Sequence, residues 1–295
     1  TSAALAWITL IAVIPWVGLI LYMLIGNHRL GRRRSERHRR ITQALHTLDR
    51  LGLQKPFRVT PPDHGPQASA RMLAKYIGAM DTLGGNDVQW VSETDAFIEQ
   101  LIRDIDAAEH HVHLMFYIYD DDDVGRRVGD ALIRAAQRGV ATRLLVDAVG
   151  GKSLFRGLAR KLRQQGVDVY AAMPVHLIRR AFARMDLRNH RKLVVIDGRL
   201  GYVGSQNIVN RDYGHRDLAW FDLAARIQGP SVFQCQLVFM QDWYFESGQM
   251  LNDAEYLPDP QACGEVAMQV VPSGPTEMTQ GLITLYVHAI HTAQT

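Results

Sequence analysis

The sequence HRKLVVIDG at residues 190–198, followed by GSQN at residues 204–207, is the most informative stretch of this 295-residue chain. The two segments read H-x-K-x4-D and G-S-x-N. The apolar run before Asp197 predicts a short buried strand, and the turn that begins at Asp197 predicts a second strand after it. Because residues i and i+2 of a strand point to the same side, we expect His190 and Lys192 to share one face, with the intervening arginine turned away.

These residue types suit the transfer of a phosphoryl group. An imidazole beside a fixed ammonium group is a poor metal ligand, but it can attack phosphorus as a nucleophile. The side chains of Lys192, Ser205 and Asn207 can then neutralise and hydrogen-bond the phosphoryl oxygens. An isolated H-x-K would indicate a surface strand with solvated charges, whereas the added x4-D and G-S-x-N at this spacing favour a phosphate site. We predict a site without a metal ion or a cofactor.

The combined pattern resembles the phospholipase D superfamily and, within it, the bacterial cardiolipin synthases. MDLR at residues 185–188 and WFD at residues 220–222 add to the resemblance, which extends over nearly the whole chain. It implies a phospholipase D-like mixed α/β sheet flanked by helices on both faces, a covalent phosphohistidine at His190 and no metal. In that superfamily a second copy of the motif supplies the histidine that protonates the leaving alcohol. This chain carries one copy, so the second is expected from a carboxyl-terminal half or from a homodimer partner.

Two carboxylates complete the candidate catalytic set of His190, Lys192, Asp197 and Asp222. Asp222 lies in a strand-like run and resembles the acidic residue that holds the second ring nitrogen of the nucleophile in the superfamily. A carboxylate there would fix the tautomer and stabilise the imidazolium. The alternative is a strand-end carboxylate paired with Arg226. Asp197 is often counted with the catalytic residues, yet its position at a strand turn favours an architectural role.

The amino-terminal region predicts a membrane span. Residues 1–26 contain no charged side chain, and about 23 apolar residues at ~1.5 Å rise each are enough to cross a bilayer core. Seven arginines and one glutamate follow within residues 28–40, which predicts a cytoplasmic position for this side, against anionic headgroups. The alternative is a cleaved signal peptide, but a basic start and a small-residue cleavage site are missing.

Charge and cysteine content narrow the class of protein. The net charge of +3 comes from the arginine cluster, because the rest of the chain is slightly acidic. A basic cluster confined to one segment does not indicate a nucleic-acid partner. The two cysteines, Cys235 and Cys263, form no C-x-x-C pair, and we interpret them as reduced cytoplasmic thiols. The predicted location is the bacterial inner membrane, with the catalytic domain on the cytoplasmic side.

The middle of the chain predicts an α/β fold. Strand-like runs at 87–92, 111–119 and 140–146 alternate with helical patterns at 94–109 and 124–138, which indicates a sheet with helices on both faces. The acidic run at 120–123 predicts a helix amino-terminal cap, and the loop at 147–151 follows a strand, so it is expected to border the pocket. His111 and His113 suggest a metal site, but a partly exposed strand face is the better interpretation.

Four regions are predicted: a transmembrane helix at 1–26, a basic juxtamembrane segment and linker at 27–86, a phospholipase D-like catalytic half at 87–247, and a connector with the truncated start of a second half at 248–295. The last follows from a repeat, because the apolar spacing of residues 97–108 recurs at residues 282–293. If the repeat continues, a longer chain should carry a second H-x-K-x4-D at about position 375.

The resemblance implies the activity of a cardiolipin synthase, which joins two phosphatidylglycerol molecules into cardiolipin and releases glycerol. The partners would then be phosphatidylglycerol, other anionic lipids and the membrane. Two alternatives remain open. One is another membrane-bound phosphatidyltransferase or phosphodiesterase of the phospholipase D type, with serine or water as acceptor. The other is a non-catalytic module that binds anionic lipids through its arginines.

Overall fold

The computed structural model describes residues 2–22, 37, 52–60, 66–78, 80–174, 188–214, 220–273 and 280–293. The helices are α1 (Ser2–Val13), α2 (Pro15–Leu21), α3 (Pro66–Gly78), α4 (Thr94–Asp106), α5 (Asp123–Gln137), α6 (Lys152–Arg156), α7 (Leu158–Gln164), α8 (Ser231–Ser247) and α9 (Gln280–Thr292). The strands are β1 (Leu83–Val91), β2 (His111–Phe116), β3 (Ala141–Asp147), β4 (Asp168–Ala172), β5 (Leu193–Ile196), β6 (Leu200–Gly204), β7 (Ala224–Gln228) and β8 (Val266–Met268).

The strands form one mixed sheet in the order β4-β3-β2-β5-β6-β7-β1-β8. Strands β2, β3 and β4 are parallel neighbours, and helices α5, α6 and α7 provide the long crossovers that parallel strands require. Strands β5, β6, β7 and β1 continue the sheet as antiparallel neighbours. A three-residue turn at 197–199 joins β5 to β6. The mixed α/β sheet expected from the sequence is confirmed.

Helices cover both faces of this sheet, as expected. Helices α4, α5 and α7 bury apolar side chains such as Leu101, Leu132 and Leu162 against one face. Helix α8 covers the other face and is buried at every position from 231 to 245. The polar residues of α8 therefore lie inside the protein, where each needs a hydrogen-bonding partner. At the start of α5, Asp122 accepts a hydrogen bond from the Gly125 amide at 2.8 Å, so the acidic run does cap this helix.

Within residues 1–26, for which a transmembrane helix is predicted, the structure describes two shorter helices, and residues 23–26 lie outside the described residues. The apolar segment breaks at Ile14, and α1 and α2 fold against each other with the rings of Trp7 and Tyr22 at a centroid distance of 5.5 Å. Pro15 begins α2 because proline lacks the N–H that would continue α1 and is favoured at a first helical position. In the ranges that the structure describes, no helix is long and apolar enough to cross a membrane.

Two predicted boundaries shift. Strand β1 begins at Leu83 rather than at 87, because Gly84 and Gly85 belong to the strand. Gly85 has a φ of +83° at a register shift between β1 and β8, and glycine adopts this conformation at little cost. The strand predicted over 111–119 ends at Phe116. The following residues leave the sheet and turn toward the motif of residues 190–198.

Several predicted features lie outside the described residues. They are the arginine cluster of residues 28–40 apart from Arg37, the short helix expected at 41–51, and the segment 175–187 with its interleaved arginines and apolar residues. The described Arg37 donates a hydrogen bond from its guanidinium to the carbonyl oxygen of Phe245, at 2.6 Å. This contact places Arg37 at the end of α8.

The carboxyl-terminal elements add to the same sheet. Strand β8 pairs antiparallel with β1, with Leu83 opposite Met268 and Asn86 opposite Val266. Helix α9 lies where the repeated apolar spacing predicts a helix, and it packs against α3. At that contact Ser69 Oγ lies 2.8 Å from His288 Nε2. That β8 and α9 begin a second half of the fold stays a prediction.

His111 and His113 lie inside the protein, so the prediction of a partly exposed strand face is wrong. Both residues are 0% exposed. The ring of His113 stacks on Phe239 of α8 with a centroid distance of 4.4 Å, and the ring of His111 meets Tyr256 edge-on at 5.2 Å. The alternation of apolar and polar residues in β2 did not reveal this burial, because α8 and the segment around Tyr256 arrive from far along the chain.

A buried arginine organises the polar groups of this face. Arg143 donates from NH1 to His113 Nε2 at 3.1 Å and from NH2 to the Tyr256 hydroxyl at 3.1 Å. Because Nε2 accepts, Nδ1 of His113 carries the proton of the neutral ring and faces Gln236 Oε1 at 3.2 Å. The ring nitrogens of His111 have no hydrogen-bonding partner in the part of the chain that the structure describes. Burial lowers the pKa of His111 to about 4 and holds the pKa of His113 well below its ordinary value.

This cluster predicts a loss of stability in mild acid. A histidine whose folded-state pKa is depressed from 6.5 to about 4 binds fewer protons when folded than when unfolded, so stability rises with pH across that window and falls as the pH drops through it. For His111 the full effect is on the order of 3 kcal/mol. We expect urea midpoints to fall between pH 7 and pH 5, and His111→Phe, which removes two unpaired nitrogens, to flatten the dependence.

The matched control is His110→Gln, since His110 is exposed and adjacent in sequence. This variant should retain the pH dependence of the parent protein. An unchanged pH slope in His111→Phe would contradict the assignment of the effect to His111.

Candidate active site

His190 and Lys192 lie side by side at one edge of the sheet, immediately before β5. Since β5 runs antiparallel to β2, its start lies beside the end of β2, where Tyr117 follows the last strand residue. The rings of His190 and Tyr117 have a centroid distance of 4.0 Å, and Lys192 Nζ lies 5.6 Å from the centroid of the same ring. The expectation that the two motif side chains share a face is confirmed.

Tyr117 is a site residue that the sequence analysis missed. It falls inside the strand predicted over 111–119, and only the structure, in which β2 ends at Phe116, places Tyr117 beside the motif. Its half-buried ring contacts both motif side chains. Lys192 Nζ also donates to the carbonyl oxygen of His190 at 2.9 Å. The ring and this hydrogen bond hold the ammonium group near the imidazole.

Arg191 points to the opposite side, toward α8. Its NH1 group lies 2.7 and 2.6 Å from the two carboxylate oxygens of Asp242, and its Nε donates to the Ser273 carbonyl oxygen at 2.8 Å. Asp242 was not predicted from the sequence, because nothing in α8 indicates that this one acidic side chain faces the motif. The alternation of the strand continues here, with the nucleophile candidate on one face and a buried ion pair on the other.

Ser205 and Asn207 lie in the loop after β6. Ser205 Oγ accepts from the Leu223 amide at 3.0 Å, and Ser205 is exposed. Asn207 is buried, and its Oδ1 accepts from the Ile118 amide at 3.0 Å. Both oxygens are used as acceptors, so the hydroxyl hydrogen of Ser205 and the NH₂ group of Asn207 are the donors, and the Asn207 side chain also hydrogen-bonds Tyr213. Their role as phosphate-binding groups stays a prediction.

Asp222 lies near Lys192, and among the described contacts it has no hydrogen bond to His190. Its negative charge favours the ammonium form of Lys192, although burial outweighs it and lowers the pKa of Lys192. The alternative pairing of Asp222 with Arg226 is wrong, because Arg226 binds Asp104 with Nε–Oδ2 and NH2–Oδ1 distances of 2.9 and 3.0 Å. The orienting role of Asp222 toward His190 stays a prediction.

The carboxylate whose charge acts on His190 is Asp147, in the loop that the sequence places at the pocket. Asp147 is fully buried and accepts from the Val149 amide at 2.8 Å and from the Asn189 amide at 3.1 Å. Partial burial and the nearby Lys192 lower the pKa of His190, and Asp147 opposes the shift. A lowered pKa keeps the imidazole neutral at neutral pH, and only the neutral ring has a lone pair for attack.

Asp197 lies at the opposite end of β5 from His190, so its place among the catalytic residues needs correction. Its carboxylate accepts from the amides of Glu109, His110 and His111 at 3.0, 2.8 and 2.8 Å. Asp197 itself has a φ of +53° in the β5–β6 turn. These hydrogen bonds fix the start of β2 to the turn, which is an architectural role at a distance from the imidazole.

The fold and the site together define a domain of the phospholipase D type. Residues 101–243 match the family described as cardiolipin synthase, PLD-like domain. The chain is 34% identical over 283 residues to cardiolipin synthase A of Klebsiella pneumoniae and 33% identical over 283 residues to that of Escherichia coli. Each alignment covers 92% of this chain and 58% of the relative. Residues 101–243 therefore form a phospholipase D-like domain of the cardiolipin synthase kind.

The chain spans 58% of the length of these relatives. Among solved structures, NucT from Helicobacter pylori aligns with a TM-score of 0.44 and 12% identity, over 55% of this chain and 98% of that chain.

The electrostatics of the site predict opposite shifts from two substitutions. Lys192→Met removes a positive charge that disfavours the imidazolium, so it should raise the pKa of His190. Asp147→Asn removes the charge that favours the imidazolium, so it should lower that pKa further. An NMR titration of the His190 ring protons measures both shifts. Arg199→Met, exposed in the turn beyond β5, should leave the pKa unchanged, and shifts of the reverse sign would contradict this account.

Proposed function

We propose that the protein containing this chain is a cardiolipin synthase, which transfers a phosphatidyl group from one phosphatidylglycerol to a hydroxyl group of another. The observation that carries the proposal is the pairing of His190, with its lowered pKa, and the ammonium group of Lys192 on one face at the edge of a phospholipase D-like domain. The names of the relatives support the choice of substrate. Because the chain is shorter than they are, the activity is proposed for the whole protein.

In the first step the neutral imidazole of His190 attacks the phosphorus of one phosphatidylglycerol. A P–N bond forms, the P–O bond to the glycerol headgroup breaks, and an acid protonates the leaving oxygen. Lys192 supplies positive charge to the phosphoryl oxygens, and Ser205 and Asn207 supply their remaining donors. The proposed acid is the histidine of a second motif copy, from a carboxyl-terminal half or from a homodimer partner.

In the second step a headgroup hydroxyl of another phosphatidylglycerol attacks the same phosphorus. The P–N bond breaks, a P–O bond forms, and the group that served as acid now accepts the hydroxyl proton. The products are cardiolipin and glycerol, and His190 is regenerated. One phosphodiester replaces another, so the exchange is nearly balanced and water must be kept from the phosphohistidine.

Two other activities would use the same first step. If serine or water replaces the second lipid, the products become phosphatidylserine or phosphatidic acid. A non-catalytic module that binds anionic lipids through the arginines of residues 28–40 would form no phosphohistidine at all.

We infer that the enzyme acts at the bacterial inner membrane, with the site on the cytoplasmic side, because the arginine cluster of residues 28–40 attracts anionic headgroups there.

The proposal predicts a covalent adduct at His190. A phosphoramidate is stable in base and labile in acid, so labelled phosphatidylglycerol should leave label on the full-length protein after rapid alkaline denaturation. The label should map to His190 and be lost in His190→Ala, with loss of cardiolipin formation. A metal chelator should leave both unchanged, since no step needs a metal.

His110→Ala is the matched control, because His110 is an exposed histidine at the far end of β2, and it should label like the parent. Lipid analysis separates the acceptors, since cardiolipin, phosphatidylserine and phosphatidic acid are distinct products. Label that persists in His190→Ala would assign the nucleophile to the second motif. Chelator-sensitive turnover without an adduct would refute the mechanism.

A further inference from the structure

We propose that Asp242 is a positioning residue for the nucleophile: from α8 it binds both residues that flank His190 and so fixes the segment that presents the imidazole. This inference rests on the proposed role of His190. Asp242 lies on the opposite face of the sheet, more than fifty positions after His190 in the chain. The proposal adds it to the residues on which phosphoryl transfer depends.

The contacts of Asp242 are arranged on both sides of the nucleophile candidate. Arg191 NH1 binds the two carboxylate oxygens at 2.7 and 2.6 Å, and Asn189 Nδ2 donates to Oδ2 at 3.0 Å. The side chains of Arg191 and Asp242 are 11% and 6% exposed, so solvent screens the pair little. Asn189 and Arg191 are the immediate chain neighbours of His190, and Asp242 binds both with one side chain.

Asn189 and Arg191 make further hydrogen bonds besides those to Asp242. The Asn189 amide donates to Asp147 Oδ2 at 3.1 Å, and Asn189 Oδ1 accepts from the Arg191 amide at 3.1 Å. Arg191 Nε reaches the Ser273 carbonyl oxygen. The main chain before β5 is therefore held on both sides of His190, at Asn189 and Arg191, while the imidazole itself points to the other face.

A need to neutralise a buried charge does not by itself explain this arrangement. A buried carboxylate is costly unless it is paired and hydrogen-bonded, and a single cation would meet that need. Here the side-chain amide of Asn189, the residue before His190, also donates a hydrogen bond to the Asp242 carboxylate. Helix α8 is enclosed along its length, so its side chains form a rigid reference against which the motif strand is fixed.

Positioning of this kind affects the rate of chemistry more than substrate binding. A displacement of a reacting group by about 1 Å can cost about 100-fold in rate. Without the carboxylate, Arg191 becomes a buried cation that no anion neutralises. The side-chain Nδ2 of Asn189 then keeps only its contact with the sulfur of Met115, at 3.4 Å. The segment around His190 would then relax toward other hydrogen bonds. The lipid-binding donors of Ser205 and Asn207 lie beyond β6 and would be unaffected.

The test uses the full-length protein and compares Asp242→Asn with a matched control, Asp104→Asn. Asp104 is likewise a largely enclosed carboxylate, 11% exposed, bound by two nitrogens of one arginine, Arg226, but it belongs to α4 on the other face. Both variants should lower the melting temperature. Asp242→Asn alone should slow adduct formation at His190 and reduce kcat by about 10–100-fold, with KM changed less than about 2-fold.

A second variant separates rate from stability. Replacing the ion pair with apolar groups, as Arg191→Met with Asp242→Leu, should restore much of the melting temperature while the adduct still forms slowly. Recovery of the rate together with the melting temperature would overturn the positioning role. Equal kcat losses in Asp242→Asn and Asp104→Asn, or an unchanged kcat in Asp242→Asn, would overturn it as well. A parent enzyme that forms no adduct at His190 would overturn the proposed function first.

Discussion

The register between β2 and β5 is the constraint on which the rest of the structure depends. The two strands are central, antiparallel neighbours, with His113 opposite Val195 and Met115 opposite Leu193. At one end Asp197 binds the amides that begin β2, and at the other His190 meets Tyr117. A slip of one residue would exchange the faces of every β5 side chain. Such a slip would turn the imidazole toward α8 and the arginine toward solvent.

Charged side chains have different surroundings on the two faces of the sheet. Under α8, charges are buried and held by fixed partners, as in the pair of Arg191 and Asp242, or by aromatic rings, as where the Arg143 guanidinium lies 5.0 Å from the centroid of Tyr256. On the site face, His190 and Lys192 are only partly buried, and this lowers the pKa of each. The buried pair of Arg191 and Asp242 on one face thus fixes the segment that carries His190 and Lys192 on the other.

In the proposed reaction this chain supplies the nucleophile, His190, and an anion-binding group, Lys192. A further group would give and take the proton of the alcohol. Strand β8 extends the sheet beside β1, and helix α9 packs against α3. Arg191 reaches the Ser273 carbonyl oxygen in the segment between β8 and α9. The structure of the carboxyl-terminal segment is thus connected directly to the motif that carries the proposed nucleophile.

The sequence by itself determined what short-range patterns encode: the strand pair around Asp197, the shared face of His190 and Lys192, the cap of α5 and the alternation of helices and strands. These features depend on strand period, turn chemistry and local hydrogen bonds. Only the tertiary structure decided that His113 is buried, that the apolar amino terminus breaks at Ile14 and folds back, and that Asp242 binds the motif. Each of these depends on groups far apart in sequence, whose approach is set by packing and not by spacing along the chain.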